Sequence, residues 1–168
     1  MLDLIKQNNP SCCYDVREVG CFFRSSLAIA ELHTNHVLTA NEINSLWEEG
    51  INRGFIIKKE LKKGGAPLIN LAFDYLHVRH GTKRYKAFEV GTRKNGKPTY
   101  YAGVSEEKRQ AQYFIKKVKN PPTIIYNNHF LLVNKDGSVL WDPHTNDKIE
   151  GRTEEYTILF YVRELSNN

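Results

Sequence analysis

The period of the apolar residues changes along this chain, and that change constrains the fold more than any other feature. Up to about residue 76 apolar positions recur at helical spacing; beyond residue 85 they fall in short runs rich in β-branched and aromatic residues. Helices first and strands later is the α+β pattern, with N-terminal helices packed on a C-terminal antiparallel sheet. The 168 residues predict one domain, 1–168, around one hydrophobic core. Hydrophobic residues make up 40% of the chain, including eight Phe, nine Tyr and two Trp, which excludes a disordered polymer.

In the helical half, Phe23, Leu27 and Ala30 predict a helix from Cys21 to about His33, with Gly20 freeing the chain to turn into it. Thr39-Ala40-Asn41-Glu42 matches a capping box that starts a second helix, striped by Ile43, Leu46, Trp47 and Ile51 and ended by Gly54. Pro67 opens a third, running to about Leu76, with Leu68, Leu71, Ala72 and Tyr75 as its buried face. A basic β-hairpin follows, Lys86 to Gly91 and Pro98 to Gly103, around the turn signal Asn95-Gly96. Ser105, Glu106 and Glu107 predict a fourth helix of about thirteen residues, whose basic end (Lys116, Lys117, Lys119) suits the helix dipole and which Asn120-Pro121-Pro122 stops. Strands are expected at Thr123–Tyr126, His129–Asn134, Val139–Asp142 and Tyr156–Glu164, with a turn at Lys135-Asp136-Gly137-Ser138. Phe22, Phe23, Trp47, Phe73, Phe114, Leu131, Val133, Trp141 and Phe160 are the expected core.

A thiol attacks as thiolate, and the positive end of a helix dipole favours that form. Cys21, at a helix start, has this setting, and the same unpaired N–H groups face the place where an oxyanion would develop. His129 opens an apolar strand, and Asp142 follows it by 13 residues. A hairpin turning at 135–138 returns Asp142 beside His129. Imidazole can then take the thiol proton while the carboxylate fixes its tautomer.

Gly20-Cys21 entering a helix, His129-Phe130-Leu131-Leu132-Val133 on a strand and Asp142-Pro143 after the next resemble motifs of the papain-like superfamily. In particular they resemble those of the bacteriocin-processing (C39-like) cysteine peptidases. The chain also resembles an uncharacterised family of spirochaete plasmid- and prophage-borne proteins, which brings no function. The first resemblance implies a peptide or other amide hydrolase with Cys21 as nucleophile, His129 as base and Asp142 as orienting acid, and no cofactor. Its substrate would be a peptide or protein held in a cleft. Those peptidases carry a Gln six residues before the Cys as oxyanion donor; here that position is Asp15, an acceptor. Gln7, fourteen residues before Cys21, or Arg17 could substitute, or the backbone could serve alone.

The remaining composition sets alternatives. A formal charge of +5 and the basic stretch Arg79–Lys86 with the hairpin tip Arg93–Lys97 allow a nucleic-acid-binding protein. A papain-like binding module without activity is another reading. His33-x-x-His36 and His77-x-x-His80 offer imidazoles but lack a Cys-x-x-Cys partner, so no metal is expected. Cys12, Cys13 and Cys21 are an odd number, against a disulfide framework. With no signal peptide or membrane span in the sequence, a cytoplasmic location is expected, with no membrane partner.

Overall fold

Gly20 joins two helices with no residue to spare. In the computed structural model, which describes residues 2–57, 60–61 (backbone only), 65–124, 127–144 and 149–166, α1 (Tyr14–Val19) ends on Gly20 and α2 (Cys21–Thr34) begins on it. Gly20 N–H donates to Val16 O at 3.0 Å. A Cβ at this position would lie 2.3 Å from the same oxygen, so no other residue fits without moving the backbone. The sequence gives no periodic sign of α1, because six residues burying only Val16 are too few to show a stripe.

α2 buries nine residues, Phe23 to Glu31, and stops where Asn35 takes the left-handed conformation at φ 54°. Its buried set includes Arg24 and Glu31, two turns apart and fully enclosed, with Arg24 Nη1 2.8 Å from Glu31 Oε1. Arg24 also donates to Ile5 O from Nε (3.0 Å) and Nη2 (2.7 Å), and Leu38 N–H donates to Glu31 Oε2 at 2.9 Å. Burial pushes the Glu31 carboxyl up, and Arg24 and the Leu38 amide oppose that shift. The pair therefore pins an N-terminal strap, residues 2–9, across the helix.

α3 (Ala40–Asn52) carries both halves of the expected capping box: Glu42 N–H to Thr39 Oγ at 3.2 Å and Thr39 N–H to the Glu42 carboxylate at 3.0 Å. Ile43, Leu46 and Trp47 are buried, but Ile51 is 44% exposed because the last turn overhangs the core. After the short strands β1 (Ile56–Ile57) and β2 (Glu60–Leu61), α4 (Ala66–His80) runs past Leu76 until Gly81, at φ 70°, provides a stop. Tyr75 is only half-buried, since its hydroxyl reaches out to Glu42 at 2.7 Å. None of the described helices is long and apolar enough to cross a membrane.

Six strands form the sheet, β3 (Tyr85–Lys94), β4 (Lys97–Tyr100), β5 (Tyr113–Lys119), β6 (Asn128–Val133), β7 (Val139–Trp141) and β8 (Thr153–Glu164). Their order is β4-β3-β8-β5-β6-β7, and every neighbour is antiparallel. The α+β expectation holds at this level. Asn95 and Gly96 both have positive φ, 53° and 76°, as a two-residue hairpin turn between β3 and β4 requires.

Two expected elements are corrected. The fourth helix at 105–117 is absent: residues 101–112 are turns and irregular chain, and Lys116, Lys117 and Lys119 lie on β5. Tyr113, Phe114, Ile115 and Val118 are strand formers flanked by two available ladders, β6 and β8, and this pairing outweighs the acidic start at Ser105. Nor does a strand begin at Thr123. Thr123 and Ile124 lie in a turn closed by Ile124 N–H to Pro121 O at 3.0 Å, and residues 125 and 126 lie outside the described residues.

The core is split by the sheet. Leu27, Ile29, Leu68, Phe73 and Leu76 pack with Ile115, Leu132, Phe160 and Val162 on the helical side. Val90, Phe114, Leu131, Val133 and Leu159 pack on the other, under Tyr100, Val104 and Ala111. Of the expected core, Phe22 alone is half-buried, its ring 4.7 Å from that of Phe130.

Candidate active-site cleft

Cys21 is the first residue of α2, where the opening backbone N–H groups have no intrahelical acceptor. His129 is the second residue of β6 and is 1% exposed. β7 returns antiparallel, pairing Trp141 with Leu132, and delivers Asp142 to the strand end beside His129. His129 Nε2 donates to Asp142 Oδ1 at 2.7 Å; a carboxylate only accepts, so this nitrogen carries the proton. The Cys21 side chain stands beside the same imidazole on the wall of one cleft, close enough to raise its pKa, and Nδ1 is the nitrogen left to face it. Three side chains distant in sequence thus meet.

The surroundings set their charges. Burial alone would raise the Asp142 carboxyl, yet His129, the His144 backbone N–H (3.0 Å) and Arg152 Nη1 (3.1 Å) hold it at about 2. Burial alone would lower His129, but its bond to Asp142 and the Cys21 side chain beside it outweigh this and raise it. A depressed carboxyl contributes stability above its ordinary 3.8 and loses it as pH falls towards about 2. A raised imidazole contributes below its ordinary 6.5 and loses that contribution as pH rises through its folded value. The difference in melting temperature between wild type and Asp142→Asn is therefore expected to be largest between pH 3.8 and 6.5 and to shrink on both sides. A difference that kept growing above pH 8 in thermal melts would contradict this coupling.

The strap supplies the opposite wall. Gln7 is 2% exposed; its N–H donates to Pro143 O at 2.7 Å, and its Nε2 donates to Val16 O (3.4 Å) and Arg17 O (3.2 Å) at the end of α1. Its Oε1 is buried with no hydrogen-bond partner among the described residues. Lys6 Nζ donates to Asp142 O and lies 4.9 Å from the Trp141 ring centre, so the strap is tied to the loop that carries the acid. Arg17 stands at the rim, exposed, 6.0 Å from the Tyr14 ring centre. Gln7, Arg17, Cys21 and His129 all line one cleft of about 1050 Å³, with Val19, Ile124 and Ile149 as apolar wall.

Sequence reasoning missed three residues here: Lys6, His144 and Arg152. Arg152 bridges Asp142 to Asn120, its Nε 2.8 Å from Asn120 Oδ1. The His144 ring stands edge-on to His129 at 6.2 Å, and burial together with that neighbour lowers its pKa. All three lie in irregular chain, where no period marks a functional position.

The paired histidines do not converge on a cation. His36 and His80 stack at 4.3 Å, His80 donates to Glu42 (2.7 Å), His77 to Thr82 O (2.7 Å), and His33 bonds the Tyr113 hydroxyl (2.7 Å). Among the described residues no group of three or more His, Cys, Asp or Glu could hold a metal ion. Cys12, Cys13 and Cys21 are free thiols, and burial pushes that of Cys12 up. No protein-family model, no curated protein and no solved structure matches this chain.

Proposed function

We propose that this chain is a cysteine-dependent hydrolase of a peptide or other amide bond, built on a papain-like α+β fold. The observation that carries the proposal is the chain of contacts from Cys21 through His129 to Asp142 at a helix N-terminus in an open cleft. His129 Nδ1 takes the thiol proton as sulfur attacks the substrate carbonyl carbon and the carbonyl electron pair moves to oxygen. That oxyanion is received by the Cys21 N–H and its neighbours at the start of α2. Collapse expels the amine, protonated by the imidazolium, and leaves a thioester. Water, deprotonated by His129, then attacks the thioester carbonyl and regenerates the thiol. Asp142 favours the imidazolium throughout. Gln7 and Arg17, which line the same cleft, are the side-chain candidates for a further oxyanion donor. Three free thiols suit a reducing compartment such as the cytoplasm.

One observation favours an inactive binding module on the same fold. The Gln7 amide nitrogen is engaged by two backbone carbonyls, and loss of one oxyanion donor costs about 10²–10³ in rate. Labelling separates the two readings. A chloromethyl ketone probe at pH 7, followed by peptide mapping, is expected to mark Cys21 and not Cys12 or Cys13. His129→Ala is expected to slow the reaction by about 10²-fold or more. Labelling of Cys12 or Cys13 instead, or a rate indifferent to His129, would end the enzyme reading.

A further inference from the structure

Away from the cleft, a second concavity of about 620 Å³ lies between the β3–β4 hairpin, the 101–112 segment and the β6–β7 turn. No residue lining it lines the cleft. Arg93, Arg109 and Lys135 border it with Tyr100, Phe114 and one acid, Glu106. The Arg93 guanidinium lies 5.2 Å from the Phe114 ring centre and donates to Lys135 O at 2.9 Å; that of Arg109 lies 5.1 Å from Tyr100. Arg93 and Arg109 are thus oriented by the rings they lie over. Beyond the groove, Lys86, Lys108 and Arg163 surround Phe88 at 5.3, 4.0 and 5.3 Å.

Ion pairs among the described residues are made by Arg24, Arg53, Lys83, Lys116, Lys117 and Arg152, not by any of these six cations. Glu107 accepts from the Tyr161 hydroxyl at 2.6 Å.

We propose that the Arg93–Arg109–Lys135 groove binds the backbone of single-stranded nucleic acid. Guanidinium groups meet phosphate oxygens with two parallel N–H donors. Arginine planes and the Tyr100 ring that lines the groove offer faces on which unpaired bases stack, a use an acidic peptide does not make of them. A concave groove admits a flexible strand. The site stands whether or not the cleft is catalytic.

The test is fluorescence anisotropy with labelled oligo-dT and oligo-U, a DNA duplex and a poly-glutamate peptide, at 25 to 200 mM salt. For three phosphate contacts, log affinity for the single strands is expected to fall with log salt at a slope of about −2. Arg109→Gln/Lys135→Gln, both exposed positions, is expected to reduce single-strand affinity at least about tenfold at low salt and flatten the slope to about −0.7, with an unchanged melting temperature. Arg53→Gln, at the C-cap of α3, is the control and is expected to bind as wild type. Absent or salt-independent binding, equal binding by the double variant, or tighter binding of the duplex or of poly-glutamate would each overturn the proposal.

Discussion

Cys21→Ala is expected to lose at least about 10⁴-fold of amide hydrolysis, measured on the fluorogenic peptide amides that the wild type cleaves fastest in a mixed library. Sulfur is the only atom at the head of α2 that can form the thioester, and neither an alanine methyl nor a water in its place can become a leaving group later. The same change is expected to leave the fold in place. Cys21 is half-buried, so losing the thiol costs within about 1 kcal/mol, and the melting temperature checks it. Residual turnover near the wild-type level, with the variant intact, would mean that another group does the chemistry.

Glu31→Gln is expected to destabilise the protein by about 3–5 kcal/mol, a fall of roughly ten degrees or more in melting temperature. The reason is not the lost attraction itself. Arg24 and Glu31 are both fully enclosed, so neutralising one leaves a guanidinium charge in a place that water cannot reach. An Arg24→Met/Glu31→Leu double variant removes both charges and is expected to recover much of that loss. It also removes the two donors that hold Ile5 O, so the strap should loosen while the core holds. Faster tryptic cleavage at Lys6 reads that separately from global unfolding. A Glu31→Gln protein within 1 kcal/mol of wild type in urea melts would show that the pair's environment is wetter than its burial indicates.

The convergence of Cys21, His129 and Asp142 is legible in the sequence for local reasons. Gly20-Cys21 marks a helix start, and the turn at 135–138 sets a register that leaves Asp142 only one place to go. The strap is not legible, because Lys6 and Gln7 sit in chain without a period, and their partners are backbone oxygens that no residue type announces. Arg24 and Glu31 are obscured differently: two charges on an apolar helix read as its solvated face until the strap and Leu38 are seen to cover them. The missing fourth helix reflects competition. Ser105-Glu106-Glu107 is a sound helix start, but the chain beyond it pairs with β6 and β8, a gain invisible to any local signal.

β8 lies between β3 and β5 although both precede it in the chain, and the strap that carries Gln7 is held by Pro143 and the loop at Asp142. A partly synthesised chain therefore carries Cys21 long before β8 can join the β4-β3 pair to β5-β6-β7. His129 and Asp142 can meet within the β6–β7 hairpin alone, but the sheet that backs them is completed only by its last strand. Such long-range closure is slow.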